Sequence, residues 1–203
     1  MKYPIRLPPL VEAARRASPE AGFALEPTPG HTGWASLTEL GPVLRSLAAM
    51  HPGGRIAEIG TGTGVGAGWL ADGLQQGATL LTVEIDPQRA EVATRVFAER
   101  DDVTVTCSDW REALVGEEPF DLLFVDGGGP DMLEPDHRHE VIDLVRIGGT
   151  FVIDDITAQE FWDASWNDRS DPKRELAFND DRVIGSEFRV TASQGALLCV
   201  RIA

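Results

Sequence analysis

The chain has 203 residues, 42% of them hydrophobic, and its 33 acidic against 18 basic residues give a formal net charge of −15. This length is typical of one domain over residues 1–203, and the acidic excess disfavours nucleic acid and anionic membrane surfaces as partners because like charges repel. The sequence contains no apolar run of 18 residues and no signal-peptide pattern at its start, so we expect a cytoplasmic protein. Cys107 and Cys199 lack metal-binding spacing, and we expect both to lie in the core.

The first part of the chain predicts helices around an irregular segment. Residues 10–17 are typical of a short helix, and a stretch rich in Pro and Gly follows at 27–33. We expect residues 1–35 to form an N-terminal helix and loop that cap the domain. Ser36 is suited to begin a second helix, because Glu39 three residues later completes a capping box.

From residue 55 onward, short apolar runs alternate with helical stretches. This alternation indicates βαβ crossovers and a parallel sheet with helices on both faces. The last two runs are separated only by a short polar linker, which indicates an antiparallel hairpin. We therefore predict an α/β fold over 55–203, a Rossmann-like and mostly parallel sheet. The predicted strands are 56–59, 79–85, 103–107, 121–126, 149–154, 182–190 and 196–202, and the predicted helices between the first five are 65–76, 87–100, 109–115 and 131–145.

The strongest local signal is the glycine-rich loop at 58–64, EIGTGTG, directly after the first strand. Glycines permit positive φ and let a ligand approach bare backbone, and the following helix offers free N–H groups. One interpretation is a dinucleotide site that uses Gly62, Gly64 and Ala67, with Glu84 as the acid that binds ribose. The other is a ligand with a cationic group near the carboxylate that begins the loop, since a buried and uncompensated charge is costly.

The second interpretation is favoured by a family resemblance. The Glu-x-Gly-x-Gly-x-Gly pattern at 58–64 resembles the first motif of the class I S-adenosylmethionine-dependent methyltransferases. Residues 81–93 resemble the second motif, in which the strand-end acid, here Glu84, binds the ribose hydroxyls. The resemblance also implies that Asp109 and Trp110 contact the adenine, the former by a hydrogen bond and the latter with its π face.

The resemblance covers roughly residues 30–203 and is strongest over 56–156. It implies S-adenosylmethionine as the cofactor, and a homodimer as the assembly. The cofactor residues it implies are Glu58, Gly60, Thr61, Gly62, Thr63, Gly64, Glu84, Ile85, Asp109, Trp110 and Asp126.

Three carboxylates are expected to meet at one edge of the sheet. Asp126 ends the fourth predicted strand, and Asp154 and Asp155 end the fifth. Without compensation they would repel one another, whereas Mg²⁺ or Ca²⁺ would be held by such oxygen ligands. The set is similar to that of the cation-dependent O-methyltransferases of the catechol and caffeoyl-coenzyme A type, whose fifth strand ends in Asp-Asn. The alternative is a cofactor or hydrogen-bonding role without metal.

The sequence departs from that subfamily at the acceptor side. Gly129 occupies the position of its catalytic lysine, Met132 that of a frequent tyrosine, and Gly66 that of a serine near the methionine tail. The general base is therefore unassigned. His137 and His139, two residues apart on a predicted helix, face different directions and are expected at the surface.

Two further groups of residues are open to interpretation. His31 lies in the Pro- and Gly-rich stretch and could line the pocket. Trp162 and Trp166, four residues apart, are expected to form one aromatic patch that belongs either to the core or to the cover of the site.

These observations predict methyl transfer to an oxygen of a small molecule that is neutral or positively charged. A bound Mg²⁺ would lower the pKa of an acceptor hydroxyl in place of the missing lysine. The alternatives are a metal-independent methyltransferase, an aminopropyltransferase, an NAD(P)-binding protein and a nucleotide sensor without an acceptor site. The acceptor itself is not determined, because its pocket would be built from 1–35, 127–140 and 156–180.

Overall fold

The computed structural model describes residues 4–25, 35–127, 132–134, 136–164 and 170–203. The strands are β1 (Arg55–Ile59), β2 (Thr79–Glu84), β3 (Val103–Cys107), β4 (Phe120–Val125), β5 (Val145–Thr157), β6 (Val183–Arg189) and β7 (Gln194–Arg201). Within the described ranges, the α-helices are α1 (Pro9–Ala17), α2 (Gly41–Ala49), α3 (Val65–Gly73), α4 (Pro87–Val96), α5 (Trp110–Leu114), α6 (Arg138–Asp143) and α7 (Pro172–Asn179), and 3₁₀ turns occupy Ser18–Ala21 and Gln159–Phe161.

The strands form one sheet in the order β3-β2-β1-β4-β5-β7-β6. The first five strands are parallel, and β7 pairs antiparallel with both β5 and β6. The predicted fold class, a mostly parallel Rossmann-like sheet that ends in an antiparallel hairpin, is confirmed.

Aspartates begin three of the crossover helices. The side chain of Asp86 accepts hydrogen bonds from the backbone N–H groups of Gln88 and Arg89, while Asp109 and Asp171 cap α5 and α7 in the same way. These caps satisfy N–H groups that have no partner within the helix. These three helices, α4, α5 and α7, therefore each begin at an aspartate that follows a strand or a loop.

The predicted cap at Ser36 is wrong. Helix α2 begins at Gly41, five residues later, and the Ser36 side chain instead donates to Asp126. Pro42 fits the first turn of α2, and the preceding Gly41 lies so close to the Trp69 ring that a Cβ would be only 2.0 Å from it.

Apolar layers cover both faces of the sheet. One layer contains Leu44, Trp69 and Phe97, and the other contains Leu114, Val141 and Leu176. Helix α1 belongs to the first layer through the fully buried side chains of Val11 and Ala14. The N-terminal segment is thus packed against the α3 side of the sheet, where the glycine loop lies.

Several local predictions need correction. Within the described residues, the helix predicted over 131–145 is reduced to α6, because the chain turns before Arg138 and β5 already begins at Val145. Cys107, expected in the core, is exposed at the end of edge strand β3, whereas Cys199 is buried. The described helices are too short or too polar to cross a membrane. A cytoplasmic location stays a prediction.

Candidate active site

The candidate site lies where the strand order reverses between β1 and β4. The glycine loop follows β1, and Asp126 follows β4, so both lie at the carboxyl ends of neighbouring parallel strands. Open α/β sheets bind their ligands at this kind of crevice.

The glycines of the loop are required by close contacts as well as by backbone angles. Gly60 has φ +94°, and a Cβ there would lie 2.5 Å from the carbonyl oxygen of Asp126. Gly62 has φ +54°, and a Cβ there would lie 2.6 Å from the ring of Phe23. Only glycine fits between these neighbours, so the loop passes directly against the end of β4 and against the N-terminal segment.

A cavity of about 400 Å³ extends from this loop across the ends of β2 and β3. Phe23, Ser36 and Arg89 contribute to its wall beside residues that the sequence predicted. The predicted cofactor residues that line it are Gly60, Thr61, Gly62, Glu84, Ile85, Asp109, Trp110 and Asp126.

Glu84 is fixed at the centre of this wall. One carboxylate oxygen accepts from the backbone N–H of Gly62 at 2.7 Å, and the other accepts from that of Asp86 at 2.9 Å. The side chain is thereby held between the glycine loop and the start of α4. Carboxylate oxygens can accept further hydrogen bonds, so Glu84 can still receive two hydroxyl groups of a ligand.

The other three predicted cofactor residues lie behind the wall. Thr63 is fully buried and shares a hydrogen bond of 2.6 Å with Ser18, which attaches the N-terminal segment to the loop. Phe97 packs against Gly64. Glu58 is also fully buried. Direct contact of these residues with a cofactor stays a prediction.

Glu58 is a buried acid with incomplete hydrogen bonding. Thr82 donates to its Oε2, but its Oε1 has no hydrogen-bond partner among the described residues. Burial, and repulsion by Glu84, raise the pKa of Glu58 to about 8, although the Thr82 hydrogen bond opposes this shift. Glu58 therefore holds a proton over much of the neutral range in the absence of a cationic ligand.

The end of the cavity beyond β3 is built by Asp109 and Trp110. Asp109 accepts from the backbone N–H of Arg111 at 2.8 Å as the α5 cap. The guanidinium of Arg111 lies 4.5 Å from the centre of the Trp110 ring, and the indole Nε1 is buried without a partner among the described residues. The cap and the cation–π contact fix both side chains in place, and their contact with a base stays a prediction.

The three predicted metal ligands come together. Val125 of β4 is in register with Ile153 of β5, so Asp126 and Asp154 extend from adjacent strand ends. Asp155 follows at a bulge where the pairing with β7 shifts, and its φ is +59°. Carboxylate oxygens of the three residues lie within 4.8 Å of one another. A strained backbone that turns consecutive side chains to one site is typical of functional positions.

The electrostatics of this carboxylate cluster, Asp126, Asp154 and Asp155, are unfavourable without a cation. Burial, followed by repulsion from Asp154 and Asp155, raises the pKa of Asp126 well above its usual range. Burial and repulsion by Asp155 likewise raise the pKa of Asp154 to about 7. Such a cluster of hard oxygen donors fits a divalent cation.

A second cavity of about 440 Å³ adjoins the first and shares Asp126, Gly127 and Asp155 with it. Apolar side chains, among them Met132 and Trp162, form much of its wall. The indole Nε1 of Trp162 donates to the carbonyl oxygen of Thr157 at 2.9 Å. Because Trp162 is half-buried and lines this cavity, it belongs to the cavity wall and not to the core.

Sequence reasoning missed Lys173, which also lines this second cavity. Its Nζ donates to the carbonyl oxygens of Asp154, at 2.7 Å, and Asp155, at 3.2 Å. The available signal was compositional: the chain contains only two lysines, Lys2 and Lys173, and uses arginine for its other basic positions.

The remaining predicted positions do not enter the described site. His137 lies before α6 with its Nδ1 4.0 Å from a carboxylate oxygen of Glu140, and no histidine joins the carboxylate cluster in the described ranges. His31, Gly129 and Trp166 lie outside the described residues.

Comparisons with known proteins agree with this geometry. Residues 57–156 match a family model described as a methyltransferase domain. A Mycobacterium tuberculosis (strain H37Rv) protein named "Probable O-methyltransferase" is 32% identical over 120 residues, which cover 56% of this chain and 53% of that protein. The match thus spans about half the length of this curated relative.

Solved structures share the fold over nearly the whole chain. The O-methyltransferase from Bacillus cereus, in complex with SAH, has a TM-score of 0.75 at 23% identity and covers 98% of this chain and 94% of its own. The O-methyltransferase TomG from Streptomyces achromogenes, involved in tomaymycin synthesis and in complex with SAM, has a TM-score of 0.77 at 23% identity, with coverage of 100% and 93%.

The resemblance to the class I S-adenosylmethionine-dependent methyltransferases that the sequence indicated is confirmed. The matched family model covers residues 57–156, and the solved O-methyltransferases share the fold over nearly the whole chain.

Proposed function

We propose that this chain transfers the methyl group of S-adenosylmethionine to an oxygen of a small molecule. The observation that carries the proposal is the junction of two cavities at Asp126 and Asp155, one beside the glycine loop and the other beside the carboxylate cluster. Methyl transfer is a displacement in line, so it requires a donor site and an acceptor site that meet at one point.

The described residues fit S-adenosylmethionine. Glu84 would accept from its ribose hydroxyls, and Asp109 and Trp110 would contact its adenine. The carboxylate of Asp126, at the junction of the cavities, would attract the cationic end of the ligand. When bound, the cofactor supplies a methyl group already activated on a sulfonium sulfur.

The carboxylate cluster fits Mg²⁺ or Ca²⁺, because carboxylate oxygens of its members lie within 4.8 Å of one another. Burial and the repulsion between these groups raise the pKa values of Asp126 and Asp154. A divalent cation held there supplies positive charge that favours ionisation of an acceptor hydroxyl. Asp126, Asp154 and Asp155 would hold it, and the bulge at Asp155 aims the third carboxylate.

The second cavity favours a small acceptor with an apolar body and a polar end that is neutral or cationic. Met132, Leu133 and Trp162 provide apolar surface, and the carboxylate cluster lies on the polar side. An anionic acceptor body is disfavoured there because the carboxylates would repel it.

Calorimetry tests the cofactor proposal. We expect S-adenosylhomocysteine to bind and NAD⁺ not to bind, because the acid Glu84 suits free ribose hydroxyls and the loop adjoins carboxylates that repel a pyrophosphate. Binding of NAD⁺ alone would overturn the proposal, and preferential binding of decarboxylated S-adenosylmethionine would support an aminopropyltransferase.

Chelation tests the metal proposal separately. We expect turnover of an acceptor panel to be lost in EDTA and restored by Mg²⁺. Turnover that EDTA leaves unchanged would show a metal-independent methyltransferase. Light scattering after gel filtration tests the homodimer that the resemblance implies.

A further inference from the structure

We propose that Lys173 is a catalytic residue that binds the reacting oxygen of the acceptor and stabilises its ionised form. This inference rests on the proposed methyltransferase function. It assigns to α7 the role that the subfamily resemblance would place at position 129, where this chain has a glycine without a side chain.

The hydrogen bonds of Lys173 hold its ammonium group at the second cavity. Two of its N–H groups are used by the carbonyl oxygens of Asp154 and Asp155, at 2.7 and 3.2 Å. An ammonium group has three donors. Among the described residues the third donor has no partner, and the side chain lines the cavity, so one N–H is available to an acceptor oxygen.

The backbone around Lys173 is fixed from both sides. Asp171 accepts from the Lys173 backbone N–H at 3.0 Å as the α7 cap. Arg174 donates to both carboxylate oxygens of Glu187, at 2.8 and 2.9 Å, and to the carbonyl oxygen of Thr157 at 3.0 Å. These bonds attach the first turn of α7 to β5 and β6. A side chain that is flexible by itself is thereby positioned, as electrostatic stabilisation requires.

The positive charge of the Lys173 ammonium suits methyl transfer to an oxygen. The acceptor hydroxyl releases its proton to solvent, and the ammonium stabilises the resulting oxyanion. The oxyanion then forms the new C–O bond while the methyl–sulfur bond breaks, and that electron pair remains on sulfur. The product oxygen is uncharged, so its attraction to Lys173 weakens after transfer, which favours release.

A merely structural role is the competing explanation, since Lys173 also lies beside two carboxylates and could serve only to offset their charge. The two explanations differ in what a chromophoric phenol would report. An ammonium that binds the acceptor oxygen favours phenolate over phenol, whereas a structural ammonium leaves that preference unchanged.

The test uses 4-nitrocatechol, whose ionised and neutral forms differ in visible absorbance. It is titrated against pH in the protein–S-adenosylhomocysteine complex, with EDTA present so that a metal does not contribute. For the wild type we expect the ionised form to bind at least tenfold more tightly than the neutral form. Lys173→Met should abolish this preference, Lys173→Arg should restore part of it, and Lys2→Met, at the other lysine, should leave it unchanged.

Failure of the proposed function and failure of the Lys173 proposal give different results. If S-adenosylhomocysteine does not bind the wild type, the proposed function fails. If it binds but the wild type does not bind the probe, shows no preference for its ionised form, or retains that preference in Lys173→Met, the role of Lys173 is overturned. Should Lys173→Met not fold, ¹⁵N-lysine NMR of a Lys2→Arg protein replaces it: a shift of the single Nζ signal on probe addition supports the proposal, and an unchanged signal contradicts it.

Discussion

The hydroxyl of Ser36 donates a hydrogen bond of 2.6 Å to Oδ2 of Asp126, across 90 positions of sequence. This contact joins the segment before α2 to the end of β4, and both residues line the first cavity. It also opposes the rise in the pKa of Asp126 that burial and its acidic neighbours cause. Ser36 therefore offsets part of this rise and favours the charged form of Asp126 at the junction of the two cavities.

Replacing Ser36 with Ala should weaken binding of S-adenosylmethionine more than binding of S-adenosylhomocysteine, because only the former carries a sulfonium charge. A hydrogen bond to a charged group contributes about 1.5–3 kcal/mol. We therefore expect the affinity for S-adenosylmethionine relative to S-adenosylhomocysteine to fall by roughly tenfold or more. Calorimetry with both ligands measures it. Ser46→Ala is the control, since Ser46 is exposed and its hydroxyl donates to the carbonyl oxygen of Pro42 in its own helix. Equal losses of affinity for both ligands would contradict this role of Ser36.

Replacing Glu84 with Gln should reduce the affinity for S-adenosylhomocysteine by about 10- to 100-fold, because charge-assisted hydrogen bonds to ribose would become neutral ones. The measurement is the dissociation constant by calorimetry. Glu91→Gln provides the control, as Glu91 lies exposed on α4 and pairs with Arg95. An unchanged dissociation constant in the Glu84 variant would remove this residue from the cofactor site.

Replacing Asp154 with Asn should abolish stabilisation by Mg²⁺ while keeping the bond that Oδ1 accepts from the Asp155 backbone N–H. A ligand at 100 times its dissociation constant adds about 2.7 kcal/mol to the free energy of unfolding, which thermal unfolding detects easily. We expect this gain in the wild type and in the exposed-site control Asp181→Asn. A full gain in the Asp154 variant would argue against the metal site.

The pKa values predict how stability depends on pH. The pKa of Glu58 is raised from 4.5 to about 8 in the folded protein, so the folded state binds more protons than the unfolded chain between these values. Its contribution to the free energy of unfolding is therefore present at low pH and is lost as pH rises from about 5 to 8. Each unit of pKa shift corresponds to about 1.4 kcal/mol.

Replacing Glu58 with Gln should consequently flatten this decline and stabilise the unliganded protein at pH 8 relative to the wild type. Denaturant unfolding at pH 5, 6.5 and 8 measures the difference, with the exposed Glu99→Gln as control. A variant whose stability follows the wild-type curve at all three pH values would mean that Glu58 is not protonated in the folded state.

Replacing Gly66 with Ala should destabilise the protein by about 1–3 kcal/mol, the usual cost of overpacking a well-filled core. The added Cβ would lie 2.4 Å from Oε1 of Glu58 and 2.9 Å from both Oγ of Ser36 and the Phe124 ring. Thermal unfolding measures the loss. Glu58→Asp, which shortens the crowded side chain, should recover part of it in the double variant, and a Gly66→Ala protein as stable as the wild type would disprove the clash.

The sequence by itself determined the fold class and most of the strand ends. Alternating apolar runs are local signals, and Glu58, Glu84, Asp126 and Asp154 each follow or end such a run. Because parallel strands align their carboxyl ends at one edge, the order of these acids along the chain was enough to predict that they share a crevice.

The tertiary structure alone decided which side chains face each cavity. Ser36 was assigned to a helix cap from its local pattern, but its partner Asp126 is 90 residues away. Lys173 reaches the carbonyl oxygens at the end of β5 from α7, a helix that Arg174 attaches to β6. Such contacts depend on how packed elements are placed relative to one another, and no local periodicity or spacing encodes that placement.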